Sequence, residues 1–133
     1  MILDTDFLIA LEEGDEAALR KAATLEAGDA PLRVPTVVVQ ELYVSVGAGD
    51  SSFANASKYE ALLANKPVVE LTDPIARKAG VVQGRHLKSD SKANLGIADA
   101  VVAATGLQYN EAVVTSDEDF THVEGLGVNL LGG

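Results

Sequence analysis

Between Leu95 and Leu107 a single charge, Asp99, stands among Leu95, Ile97, Ala98, Ala100, Val101, Val102, Ala103 and Ala104. Such a run of apolar and small side chains predicts a helix buried on most sides, and other elements must wrap around it. An ionised carboxylate in that setting is costly unless it is hydrogen-bonded, paired or bound to a metal. Asp99 therefore asks for a partner. Downstream, Glu111 to Thr115 reads as a short β-branched strand, and Ser116 stands where a helix N-cap belongs. Asp117, Glu118 and Asp119 would fill the first turn of that helix, where carboxylates favour the dipole.

The rest of the chain alternates short strands with helices. Met1, Ile2 and Leu3 begin a strand with Asp4 at its end, and Thr5 or Asp6 caps a helix whose apolar face is Phe7, Leu8 and Leu11. Glu16 to Glu26 forms a second helix, closed by Gly28 and Asp29, and Leu32 to Pro35 a second strand. Thr36 reads as the cap of a helix running through VVVQELYVSV to the stop at Gly47-Ala48-Gly49, with Glu41 as a second lone acid on an apolar element. Ser51 or Ser52 starts a helix through Asn65, and Val68 to Leu71 is a third strand. Thr72 or Asp73 then caps a helix that has Pro74 in its first turn and runs toward Leu87, weakened by Gly80 and Gly84. SDSKAN is a polar loop, and a turn at Gly125 to Gly127 leads to a last strand, Val128 to Leu131. This order predicts βαβ units, hence a single three-layer α/β/α domain over 1–133 with a central parallel sheet of four or five short strands.

That topology turns scattered acids into a candidate site. Ligands of open parallel sheets bind beyond the C-terminal strand ends, where Asp4 and Asp117 fall, and Glu41 and Asp99 lie on helices that could reach the same edge. Four carboxylates from four distant segments repel one another, so their convergence makes sense around a hard divalent cation. Oxygen ligands suit Mg²⁺ or Mn²⁺, and the implied chemistry is metal-assisted phosphodiester hydrolysis.

Composition narrows the setting. The 133 residues hold no cysteine, which removes disulfide and thiolate-metal chemistry, and no apolar run reaches the length of a membrane span. The start, MILDTDFLIAL, lacks a basic leader and a cleavage site, so the expected compartment is the cytoplasm. A net charge of −10 argues against nucleic acid as a partner, unless it is an adaptation to high salt. Residues 77–92 are the exception: Arg77, Lys78, Arg85, Lys88 and Lys92 face one acid, Asp90, for a local charge of +4. On one helical face, Lys78, Arg85 and Lys92 with Lys88 nearby would form a phosphate-binding stripe or a solvated surface. Thr115 and Ser116 are candidate phosphate contacts. His86 and His122 read as surface residues or weak phosphate contacts, and Tyr43, Tyr59 and Tyr109 as core-edge residues.

In order along the chain, LDTDFLIAL, VVVQELYVSV, IADAVVAATG, AVVTSDEDF and GLGVNLL resemble a PIN-domain ribonuclease, more narrowly the small VapC-type toxins of toxin–antitoxin pairs. The resemblance implies that Asp4, Glu41, Asp99 and Asp117 gather around one or two Mg²⁺ or Mn²⁺ ions, with Asp119 as a supplementary candidate. It also implies an RNA substrate, for which Arg85 and Lys88 of the basic segment are candidate contacts, a homodimer, and a cognate antitoxin covering the active site. Asp6 departs from the family pattern, which often has Asn or Ser there. Two rivals come from other classes. Asp4-Thr5-Asp6 after an apolar strand is similar to the start of aspartyl-phosphate phosphatases, with Asp4 as nucleophile, although their downstream lysine pattern is missing. A non-catalytic acidic module gripping a basic peptide would need no metal.

Overall fold

The computed structural model describes residues 1–49 and 52–132. Among the described residues five strands alternate with six α-helices and one 3₁₀-helix. They are β1 (Ile2–Leu3), α1 (Thr5–Glu12), α2 (Glu16–Ala27), β2 (Val34–Pro35), α3 (Thr36–Ala48), α4 (Ser52–Leu63) and β3 (Val68–Val69). Then follow α5 (Asp73–Lys88), α6 (Ile97–Tyr109), β4 (Val113–Thr115), the 3₁₀-helix (Glu118–His122) and β5 (Val128–Leu130). One alternative for the start of α4, Ser51, lies outside the described residues.

All strand pairs are parallel. β1 pairs with β4 in the register Ile2–Val113, β4 with β5 as Val113–Val128, and β2 with β3 as Val34–Val68. The two ladders meet at a parallel bridge between Ile2 and Arg33, closed by Leu3 N–H to the Arg33 carbonyl and Arg33 N–H to the Met1 carbonyl, each at 2.9 Å. The strands therefore lie in the order β3-β2-β1-β4-β5, the mixed α/β arrangement with a short-stranded parallel sheet that the alternation predicts. The chain leaves β1 toward β2 on one side and returns through α6 to β4 on the other. The order thus reverses between β1 and β4, the place where open parallel sheets bind their ligands.

α6 is the spine. Every residue from Ala100 to Gly106 is buried, and the helix packs against α3, α5, β1, β2 and β4. At its C-terminal end a Cβ on Gly106 would meet Leu126 Cδ1 at 2.7 Å, the Glu111 carbonyl oxygen at 3.0 Å and Val113 Cγ2 at 3.1 Å, so only glycine lets the helix approach β4 this closely. Asn110 ends the helix in the left-handed region at φ 53°, a conformation that asparagine tolerates.

Thr72 caps α5 and Glu16 opens α2 as expected, but three other helix starts are displaced. Asp4, not Thr5 or Asp6, is the N-cap of α1, Pro35 rather than Thr36 precedes α3, and Asp117 rather than Ser116 caps a 3₁₀ turn in place of an α-helix. At Asp117 the reason is geometric: its carboxylate accepts the Asp119 N–H at 2.9 Å, while the Ser116 hydroxyl is turned elsewhere. Gly80 and Gly84 do not weaken α5 enough to end it, because Ile75, Ala79, Val82 and His86 are buried along one face. The helix stops at Lys88, so Lys92 falls in the following loop and the helical stripe of Lys78, Arg85 and Lys92 does not form. His86 is no surface residue. It is 2% exposed, and its Nδ1 lies 2.8 Å from the Ala93 carbonyl oxygen, while His122 Nδ1 accepts the Ala93 N–H at 3.0 Å.

Candidate active site

Asp4 follows directly on β1, and its backbone N–H continues the ladder to the Val114 carbonyl at 3.1 Å. The strand therefore fixes its position, at the exit from the sheet, and leaves the carboxyl 4% exposed. Thr115, the last residue of β4, donates its hydroxyl to Asp4 Oδ2 at 2.8 Å and accepts the Asp117 N–H on the same oxygen at 3.0 Å. One buried hydroxyl thus joins the acid of β1 to the acid after β4. Its proton is used and it lies out of contact with solvent, so Thr115 acts as a brace within the site rather than an open phosphate contact.

Asp99 is the third residue of α6, half-buried and held in place by the packed helix behind it. Glu41 comes from the middle of α3, and its Oε1 accepts the Thr5 hydroxyl at 2.6 Å. Thr5 is a residue that sequence reasoning assigned only to capping; nothing local in LDTDF announces a partner 36 residues away. Ser116 is exposed, with its hydroxyl donated to Asp6 Oδ2 at 2.6 Å.

The electrostatics describe how closely these groups share one space. Burial, followed by the charges of Asp6 and Asp99, raises the Asp4 carboxyl to about 8 against the lowering effect of hydrogen bonds from Thr115 and the Thr5 backbone. Asp99 is raised to about 6 by burial first, then by Asp117, Glu41, Asp6 and Asp119. Six carboxylates are thus linked through Asp4 and Asp99: Asp6 acts on both, Asp99 on Asp4, and Glu41, Asp117 and Asp119 on Asp99. Among the described residues none of the six has a cationic partner: the ion pairs lie elsewhere, at Glu16–Arg20, Glu12–Lys58, Asp73–Arg77 and around Glu111.

The donor set has the chemistry of a hard divalent cation site: oxygen only, acidic, mutually repelling and without a counter-charge. As they stand, no three acidic or histidine side chains among the described residues are set closely enough to hold one ion. The basic residues lie apart from this cluster. Arg85 lines a small cleft with Val82, His86, Lys92, Leu107, Val123 and Glu124, and Lys88 is exposed near the end of α5.

The PIN-domain family profile matches residues 1–126. The chain belongs to the PIN-domain family. Solved structures share the fold over nearly the whole chain. The VapBC2 complex of Rickettsia felis, determined on a promoter DNA fragment, has a TM-score of 0.86 at 15% identity, covering 97% of this chain and 96% of that one. VapBC-1 of nontypeable Haemophilus influenzae gives 0.83 at 16% identity, with 99% and 98% covered. VapC20 of Mycobacterium tuberculosis, described as a sarcin–ricin loop cleaving toxin, gives 0.67 at 19% identity, with 90% and 92% covered. No curated protein matches the sequence. In this PIN domain the acidic cluster at the β1–β4 switch point is the feature to which a function must answer.

Proposed function

We propose that this PIN domain is a metal-dependent endoribonuclease, the toxin of a type II toxin–antitoxin pair, that hydrolyses RNA phosphodiester bonds. The observation that carries the reading is that Asp4, Glu41, Asp99 and Asp117 come together at the switch point of a PIN fold with no basic side chain paired to them among the described residues. Asp4, Glu41, Asp99 and Asp117 would hold Mg²⁺ or Mn²⁺, with Asp119 as a supplementary ligand. When bound, the cation supplies charge neutralisation and Lewis acidity toward the phosphodiester. The chain's own residues set the stage. Thr115 keeps Asp4 oriented, Thr5 keeps Glu41 oriented, and the packed α6 holds Asp99 within reach of the charges of Asp4 and Asp117. No side-chain base is needed, and neither histidine belongs to the cluster. Ser116, Arg85 and Lys88 are proposed RNA contacts, the last two offsetting the charge of an otherwise acidic surface. Family membership leaves the phosphatase reading of Asp4 without support, and the pairing of Asp4 with Thr115 ties up one oxygen that a nucleophile would present.

The toxin assignment draws on solved relatives that include VapBC structures of Rickettsia felis, Salmonella typhimurium and Haemophilus influenzae, a toxin–antitoxin complex of Klebsiella pneumoniae, and VapBC-5 of Mycobacterium tuberculosis, a member of the VapBC family of toxin–antitoxin systems. By that analogy the partner is a cognate antitoxin, the state a homodimer and the compartment the cytoplasm. Among the described residues no helix is long and apolar enough to cross a membrane, and Ile97, Leu87 and Val44 expose 75%, 65% and 63% of their surface, consistent with protein partners.

The test is Asp99→Asn. The amide keeps the volume and removes the charge, so the variant folds, with metal-free stability equal to or above wild type. Its Mn²⁺ affinity, read by calorimetry, falls by at least about tenfold, and Mn²⁺-dependent cleavage of a structured RNA falls with it. A folded Asp99→Asn protein that cuts at the wild-type rate overturns the four-carboxylate mechanism.

A further inference from the structure

Asp6 is the carboxylate that the four-acid site does not use. Its Oδ2 accepts the Ser116 hydroxyl at 2.6 Å and the Ser116 N–H at 3.2 Å, and its Oδ1 lies 3.4 Å from the same nitrogen. Thr115 Oγ1 stands 3.3 Å from both Asp6 oxygens, but its single proton lies on the shorter 2.8 Å path to Asp4. Asp6 therefore faces one residue of the β4 exit through two donors. That exit needs a fastening. The last ladder bond in it is Leu131 N–H to the Thr115 carbonyl at 3.0 Å, and beyond Thr115 the chain turns away from the sheet into Asp117. From there the order is relayed by side chains: Asp117 N–H to Thr115 Oγ1 at 3.0 Å, then Asp119 N–H to Asp117 Oδ1 at 2.9 Å.

We propose that Asp6 is a positioning residue, a latch from the first turn of α1 to Ser116 that holds the β4 exit so that Asp117 and Asp119 face the acidic cluster, and that it is not itself a metal ligand. This rests on the four-carboxylate reading of the site. The latch and the ligand make opposite demands on chemistry. A latch needs a hydrogen-bond acceptor of the right length, which an asparagine amide oxygen supplies as well as a carboxylate. A ligand to a hard cation needs the negative charge. Asparagine at position 6 also removes a like charge beside Asp4 and Asp99, so the latch survives the change and the cluster repels less.

The experiment compares wild type, Asp6→Asn, Asp6→Ala and Ser116→Ala, first by amide hydrogen exchange in EDTA and then by Mn²⁺ calorimetry. The informative amides are those of Asp117 and Asp119, which Asp6 does not touch. In Asp6→Asn they exchange within about threefold of wild type, and in Asp6→Ala at least about tenfold faster, as expected for the loss of two bonds to a charged acceptor. Wild-type protection at both amides in Asp6→Ala overturns the latch. Mn²⁺ affinity stays within about threefold in Asp6→Asn and drops at least about tenfold in Asp6→Ala. Equal losses in the two variants make Asp6 a charged ligand and overturn the latch as well. If Asp6→Ala does not fold, Ser116→Ala, which removes the hydroxyl donor alone, takes its place: faster exchange at Asp117 and Asp119 supports the latch, and unchanged exchange overturns it. The exchange contrast needs neither metal nor RNA. A wild-type protein that fails to bind Mn²⁺ or cut RNA would sink the nuclease reading while that contrast still decides the role of Asp6.

Discussion

Asp4 and Asp99 hold protons at pH values where ordinary carboxyls have lost them, and this ties stability, pH and metal together. An acid raised in the folded state, Asp99 to about 6 and Asp4 to about 8, binds a proton that the unfolded chain has already released. Folded protein therefore loses stability as pH rises from about 4, the unfolded value, through 6 and on to 8. Glu111 works in the opposite sense: burial pushes it up, but hydrogen bonds from the Met1 amine and Arg33 outweigh this and hold it low, so its contribution fades only in acid. The expected result in EDTA is a melting temperature that falls between pH 6 and 8.5, and a smaller fall with Mn²⁺ present. A rise over that interval would contradict the raised values. Metal binding must also displace the proton on Asp4. Calorimetry at pH 7 in buffers of different ionisation enthalpy should show about one proton released per site filled, and Asp4→Asn should abolish that release.

At the scale of elements, glycine has opposite meanings in two neighbouring helices. In α6, Gly106 sits where an added Cβ would reach Leu126, the Glu111 carbonyl and Val113, so Gly106→Ala should destabilise the protein by about 1–3 kcal/mol despite alanine's better helix propensity. In α5, Gly80 and Gly84 are exposed and a Cβ on either meets nothing within 4 Å, so Gly80→Ala and Gly84→Ala should each stabilise by about 0.5–1 kcal/mol. Urea denaturation of the three variants checks both signs. A stabilised Gly106→Ala would mean that the α6–β4 contact is looser than its geometry. The contrast follows from what each helix touches: α5 turns one side to solvent, whereas α6 is enclosed from Ala100 to Gly106.

For the whole molecule the dominant quantity is the net charge of −10, only part of which lies in the acidic cluster. Self-repulsion of that size is screened as salt is added, since the Debye length falls to about 3 Å at 1 M. In EDTA the melting temperature should rise from 0.1 to about 2 M KCl if the acidity is a high-salt adaptation. A flat or falling curve would remove that account and leave the charge as an obstacle to RNA binding that Arg85 and Lys88 must overcome locally.

The alternation of short β-branched runs with helices and a helix buried from Ala100 to Gly106 were legible in the sequence, where Asp4, Glu41, Asp99 and Asp117 stood out as acids at strand ends or alone on apolar helices. Burial periodicity and strand-end position are local properties that each segment carries by itself. Tertiary structure decided the pairings. Thr5 meets Glu41, Thr115 meets Asp4, and Asp6 meets Ser116, across separations of 36, 111 and 110 residues. It also moved the caps, buried His86 against Ala93 and took Lys92 off the helix that would have aligned it with Lys78 and Arg85. A hydroxyl or a carboxylate looks the same in sequence whether it caps its own helix or reaches across the sheet. Which it does depends on what the fold brings within about 3 Å, and only the packed sheet and helices determine that.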